Sequence, residues 1–328
     1  MEADRSFRFD RKTLLLFLKG MAMGAADSVP GVSGGTVALI TNIYEELVDS
    51  IKSFGWQALV VWKKDGIKAA WQHINGVFLL TLFAGILTSL LLSGRVIIGL
   101  MENYLPYLMA FFAGLVIASI RFVAGNIAIW KVTSVIMAFL LGFLVAIVLA
   151  ILPLADASNS PVYYFFCGAI AICAMILPGI SGAFILVLLG AYASVLEALT
   201  QFNLSLIGIF ASGCIAGLML FSRFLSWLLH NHHDGTMSAL TGMLAGSLYL
   251  LWPWRLANEI NMGDHTFTRY EHVLPDTYVL MTGTVFSPLI CAGLLLLGIF
   301  LVLLLEFVAG NITTQITGNT GKSESEIT

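Results

Sequence analysis

The segment Pro30-Gly-Val-Ser-Gly34 returns as Pro178-Gly-Ile-Ser-Gly182, and both copies sit inside long apolar stretches. Proline has no amide hydrogen and its ring collides with the carbonyl four residues back, so neither stretch runs through as one straight helix. Hydrocarbon offers no partner to open backbone, so such a break must be enclosed by protein or line a cavity. A broken helix built twice in one membrane chain is how many transporters form a substrate site near the bilayer midplane.

The rest of the chain supplies the membrane context. Of its 328 residues 59% are hydrophobic and 11% charged, which is the make-up of a polytopic membrane protein. Residues 74–94, 132–155, 235–254 and 277–305 carry no charge, and neither do 103–120 and 198–222. About 20 apolar residues cross the hydrocarbon as a helix, whereas the short alternating segments of a barrel are missing. The expected fold class is therefore an all-α polytopic membrane protein. The basic start (Arg5, Arg8, Arg11, Lys12) leads into a short leucine-rich run that Lys19 interrupts, so no cleavable signal is expected. Cys167, Cys173, Cys214 and Cys291 all lie in apolar runs and read as small packing residues. With a formal net charge of −3, no nucleic-acid partner is expected.

The two motifs belong to an internal repeat. Without gaps, Gly20, Ala26, Pro30, Gly31, Ser33, Gly34 and Tyr44 recur as Gly168, Ala174, Pro178, Gly179, Ser181, Gly182 and Tyr192. A second offset pairs Gly85 with Gly213, Arg95 with Arg223, Gly114 with Gly242 and Ser119 with Ser247. Residues 157–196 carry no charge, and one helix of that length would reach about 60 Å, twice the hydrocarbon thickness. The Pro-Gly pair is the natural bend, so each half is read as a hairpin plus three spans. Three is odd, which inverts the second half relative to the first.

Charge tests that parity. With the N-terminus inside, Arg5, Arg8, Arg11, Lys12, Lys19, Lys52, Lys63, Lys64, Lys68, Arg121, Lys131, Arg223 and Lys322 fall on the cytoplasmic side. Arg95, Arg255 and Arg269 alone fall outside, as the positive-inside rule requires. The expected organisation is a cytoplasmic segment 1–18, a first repeat 19–155 and a second repeat 156–307. The first holds hairpin 13–51 and spans near 74–95, 104–122 and 132–154. The second holds hairpin 161–199 and spans near 204–228, 236–254 and 278–305. A polar, disordered cytoplasmic tail, 308–328, completes the chain. Residues 56–73 interleave lysines with Trp56, Trp62 and Trp71, as either an interfacial amphipathic helix or a solvated loop.

After each Pro-Gly break a new helix starts, and its first amides lack intrahelical partners. These amides carry the positive end of the helix dipole, and Ser33 or Ser181 adds a hydroxyl. Pro30, Gly31, Ser33, Gly34, Gly35 and Thr36, with Pro178, Gly179, Ser181 and Gly182, are therefore candidates for holding an anion; the alternative is a simple kink that packs tightly. Arg95 and Arg223 offer planar forks suited to phosphate oxygens, or else they snorkel to the nearest interface. Asp27 either caps the next helix or couples an ion. Glu45 and Glu197 on the return arms are coupling candidates or interface residues. His230, His232, His233 and Asp234 resemble a metal set on paper, but they sit at a helix end, and no metal or cofactor is expected. Trp252 and Trp254 read as interface anchors.

The run Asp27-Ser-Val-Pro-Gly-Val-Ser-Gly-Gly-Thr36 with Tyr44-Glu45 resembles a membrane family long known only as a domain of unknown function. Pro178-Gly-Ile-Ser-Gly182 and Phe221-Ser-Arg-Phe-Leu-Ser-Trp227 resemble it too. That family is understood as bacterial undecaprenyl-phosphate translocases. The resemblance implies a flippase of the bacterial cytoplasmic membrane that returns the carrier lipid of cell-wall synthesis to the inner leaflet. Its partners would be polyprenyl phosphate and membrane lipids, and a homodimer is the assembly it allows. The second copy departs from the first, with Met175 in place of Asp27 and Ala193 in place of Glu45. Undecaprenyl-diphosphate phosphatases share inverted repeats and a Pro-Gly-x-Ser motif. They place an arginine after the serine, where Gly34 and Gly182 stand here, and add a Glu-x-x-x-Glu motif that this chain lacks. Carriage is therefore favoured over hydrolysis or the transport of a small soluble anion.

Overall fold

In chain order, helix α1 (Arg11–Asp27) stops short of Pro30, and the chain resumes as α2 (Gly34–Ile40) and α3 (Tyr44–Lys52). Then come α4 (Trp56–His73), the long α5 (Gly76–Gly125) and α6 (Thr133–Ile151). A second broken element follows, α7 (Pro161–Ile176), α8 (Gly182–Leu188) and α9 (Tyr192–Thr200). After it, α10 (Leu204–Asn231) and α11 (His233–Ser247) lead through a 3₁₀ turn to a β-hairpin. Finally, α12 (Pro275–Thr282) and α13 (Pro288–Leu304) close the fold. The structure, a computed structural model, describes residues 11–28, 33–130, 132–152, 158, 160–262, 265–283 and 286–304. At 93–95, 97–98, 101–102, 257–262 and 265–270 it describes the backbone alone.

The chain is a multi-pass helical membrane protein. Among the described residues, Asn103–Gly125, Thr133–Ile151 and Leu204–Asn231 are each long and apolar enough to cross a bilayer. Pro106 explains why α5 is not one rod. It cannot donate to the Glu102 carbonyl, and the backbone leaves helical geometry at Tyr104 (φ −137°, ψ 30°).

The two broken elements match in detail. Helices α2 and α8 each have 7 residues and α3 and α9 each have 9, with equivalent starts at Gly34 and Gly182 and at Tyr44 and Tyr192. The sequence places one bend per element, at Pro-Gly; the structure adds a second. Between α8 and α9 the chain turns by 111°. Gly190 there has φ +70°, and the equivalent Asn42 has φ 54°. One left-handed residue lets the next amide reach back five residues, as Ile43 N does to Ala38 O (3.0 Å) and Ala191 N to Leu186 O (2.9 Å).

Helices meet through close backbone contacts at small residues. A Cβ on Gly85 would fall 2.2 Å from Phe17 O, and one on the equivalent Gly213 would fall 1.9 Å from Phe165 O. The first contact joins α5 to α1, the second α10 to α7. A second pair crosses between the halves. Gly242 on α11 would meet Phe139 O of α6 at 2.0 Å, and Gly114 on α5 would meet Leu295 O of α13 at 2.0 Å. The buried core runs through the centre of this arrangement and includes Tyr44, Val48, Met109, Val116, Leu225 and Leu244. Outward positions such as Leu91, Leu141 and Leu289 are exposed leucines, as lipid contact requires.

One element departs from the all-helical expectation. Strands β1 (Arg255–Met262) and β2 (His265–His272) pair antiparallel, with Arg255 opposite His272 and Ile260 opposite Phe267. The Gly263-Asp264 link between two alternating segments is the sequence signal for such a hairpin. Where residues 236–254 were read as one span, α11 ends at Ser247 and passes into the 3₁₀ turn. Residues 278–305 divide between α12 and α13, because Gly283 ends α12 in a left-handed conformation (φ 67°).

Candidate functional site

The first break carries its own caps. Ser33 has extended backbone before α2, and its Oγ accepts from Gly35 N at 3.1 Å. Thr36 N donates to Ser33 O at 2.9 Å, and Gly34 N donates to Asp27 Oδ1 at 2.6 Å. The three leading amides of α2 are thus all partnered within one element, and Asp27 takes the capping role. The second break differs. Ser181 has the same extended backbone, but its side chain makes no cap hydrogen bond, and Met175 stands in the position of Asp27.

The two breaks hold each other. Gly179 N donates to Thr36 Oγ1 at 3.2 Å. Ser33 Oγ lies 3.2 Å from Leu177 O and 3.3 Å from Met175 O, and its single hydrogen serves one carbonyl at a time. Ser33 and Thr36 are almost fully buried, at 1% and 3% exposure, so these bonds form away from water. Gly35 permits the approach, since a Cβ there would fall 2.5 Å from Ile176 O. Gly179 is left-handed (φ +82°), a conformation that glycine adopts without strain. Pro178 and Ser181 are buried beside it, and Gly182 opens α8.

A charged band lies where α3 meets α10 and α11. Glu45 and Asp49 are four residues apart and share one helix face. His233 Nε2 sits 3.3 Å from Glu45 Oε1, and His230 Nε2 sits 3.6 Å from Asp49 Oδ2. Ser226 Oγ donates to Asp49 Oδ1 at 2.6 Å and accepts from Lys52 Nζ at 3.0 Å. These pairs are about half exposed, so each is worth about 0–1 kcal/mol. Asp234 accepts from Ala128 N at 3.3 Å and Ile129 N at 3.1 Å. Chiefly through the Ala128 amide, these bonds hold its carboxyl below the ordinary value of 3.8. A cleft of about 360 Å³ opens beside the band, lined by Leu39, Asn42, Tyr44, Glu45, Asn126, His233 and Met237. Among the described residues, no group of three or more His, Cys, Asp or Glu side chains is arranged to hold a metal ion.

Other candidates lie elsewhere. Arg223 Nη2 donates to Phe54 O at 3.0 Å and Nη1 donates to Met219 O, so its recorded partners are not residues of either break. Glu197 accepts from Gln201 Nε2 on the exposed side of α9. Pro30, Gly31 and the side chain of Arg95 lie outside the described residues. Sequence reasoning did not single out Ser226 or His230 as partners of Asp49. The available signal was the four-residue spacing of Glu45 and Asp49 facing histidines three residues apart.

The model of the Undecaprenyl phosphate translocase-like family matches residues 23–268. A Polyprenyl-phosphate transporter of Vibrio cholerae serotype O1 is 40% identical over 296 residues, spanning 89% of this chain and 96% of the relative. A Polyprenyl-phosphate transporter of Staphylococcus aureus is 30% identical over 254 residues, spanning 72% of this chain and 85% of the relative. No solved structure matches. Both relatives are named as transporters. On a family match over most of its length and on relatives this similar, the chain belongs to the Undecaprenyl phosphate translocase-like family.

Proposed function

We propose that the protein moves a polyprenyl phosphate, specifically undecaprenyl phosphate, from the outer to the inner leaflet of the bacterial cytoplasmic membrane. The observation that carries this reading is the pairing of two equivalent helix breaks, Thr36 with Gly179 and Ser33 with Leu177, inside the fold. A polyprenyl tail dissolves in the bilayer and needs no carrier, whereas its phosphate is costly to remove from water. A small polar centre reachable from either face, with the tail left in lipid, meets that need. The segments around Pro30 and Pro178 are its core in this proposal, with Arg95 and Arg223 as approach donors and Asp27, Glu45 and Glu197 as coupling candidates.

The mechanism is alternating access between two inverted repeats, 19–155 and 156–307, with both termini cytoplasmic. The recurrence of the α1–α5 contact as α7–α10, residue for equivalent residue, supports that symmetry. So does the exchange in which α6 packs on α11 and α13 on α5. Asp27 makes the two breaks unequal. Its carboxylate holds the first amide of α2, so an anion reaching that break has to displace it.

The test is a sided liposome assay with labelled polyprenyl phosphate and pure protein. Protein-dependent transfer between leaflets is the expected result, without release of inorganic phosphate from polyprenyl diphosphate. No transfer, or release of phosphate, overturns the reading. Cysteine labelling from each side tests the symmetry, which fails if both breaks open to the same compartment.

A further inference from the structure

Helix α4 is unusual in this fold because none of its residues is buried. Trp56 and Ile67 are about three-quarters exposed, and Leu59, Trp62 and Trp71 are also open. The fold therefore leaves most of this apolar surface uncovered, although Trp71 packs against Gly76. Nor is α4 a membrane span. It forms a bent pair with the first part of α5, turning by 47° at the Ile74-Asn75 junction, but Lys63, Lys64, Asp65 and Lys68 fall within six consecutive residues. Charges at such density are not carried into hydrocarbon. The helix is also interrupted at Gly66 (φ 84°, ψ 177°), which splits it into two short segments.

An element with tryptophans and lysines, joined by a moderate bend to a membrane-entering helix, is held at the depth of the lipid headgroups. Indole rings favour that zone, and lysines can keep their stems in the apolar boundary while their ammonium groups stay in the polar layer. Three lysines against one aspartate give the segment an excess of positive charge, the complement of an anionic leaflet. We propose that α4 is a binding surface for the headgroups of anionic phospholipids, and that it anchors the start of α5 to an anionic leaflet. The occupant is the bilayer itself, not a partner protein, since the surface is contiguous with a membrane-entering helix and its charge matches acidic lipid.

Hydrogen–deuterium exchange of the full chain in lipid nanodiscs tests this. Amides of residues 56–73 should exchange more slowly, on the order of tenfold, in phosphatidylglycerol–phosphatidylcholine discs than in pure phosphatidylcholine. Amides of 133–151 should not differ between the two. The variant K63Q/K64Q/K68Q should lose the difference and K63R/K64R/K68R should keep it. Equal exchange of the unaltered chain in both discs overturns the proposal without recourse to any variant. A difference that survives in the glutamine variant also overturns it, because apolar insertion or a protein contact would then be responsible.

Discussion

Replacing each motif serine by alanine should have unequal consequences, although the two serines are equivalent in sequence. Ser33 caps α2 through Gly35 N and bridges to the second break through Leu177 O or Met175 O. Loss of an N-cap costs about 1 kcal/mol, and loss of one buried hydrogen bond about 1 kcal/mol more. Ser33→Ala should therefore destabilise the protein by about 2 kcal/mol. Ser181 makes no cap hydrogen bond, so Ser181→Ala lacks the capping loss and should cost less than about 1 kcal/mol. Reversible unfolding in mixed micelles, followed by circular dichroism, measures both. Transport in liposomes adds a second reading: Ser33→Ala should lower stability and transport together, and Ser181→Ala should affect transport alone. Equal stability losses, or a larger loss at Ser181, would refute the asymmetry read from the caps.

Other substitutions test neighbouring claims. Gly35→Ala forces a Cβ to within 2.5 Å of Ile176 O, and overpacking of this kind costs about 1–3 kcal/mol. Gly208→Ala, where a Cβ meets nothing within 4 Å, should be neutral or stabilising by up to about 1 kcal/mol in the same unfolding assay. Asp27→Asn keeps an acceptor for Gly34 N but removes the charge; an unchanged pH profile of transport would exclude Asp27 from coupling. Asp234 is more acidic folded than unfolded, so its stabilising effect is present above the ordinary carboxyl value of 3.8 and fades as pH falls through the lower folded value. The melting difference between the unaltered chain and Asp234→Asn should accordingly vanish only in that acidic range. Arg223→Ala should weaken binding of polyprenyl phosphate, as measured by quenching or calorimetry, and unchanged affinity would remove it from the phosphate path.

The broken elements were legible because Pro-Gly disrupts a helix wherever it stands. The gapless pairing of Tyr44 with Tyr192 falls where the nine-residue arms begin. The second bend was not legible. It rests on one left-handed residue in each copy, glycine in one and asparagine in the other, and neither identity is distinctive within an apolar run. The capping role of Asp27 was one of two open readings, and the 2.6 Å contact with Gly34 N shows the cap. The β-hairpin escaped notice because its strands are short and polar beside far stronger apolar signals. The pairing of Asp49 with His230 joins residues 181 positions apart, and no local pattern announces it.

The packing of α6 on α11 and of α13 on α5 bears on how such a molecule can move. Each half of the gene product surrenders its closing span to the other, like two hands with interlaced fingers. Any rigid unit of this fold therefore mixes residues of both sequence halves, since a Cβ at Gly242 or Gly114 would fall 2.0 Å from the backbone of its partner helix. A chain cut between α6 and α7 should yield two fragments that remain embraced, and neither alone would be a miniature of the whole.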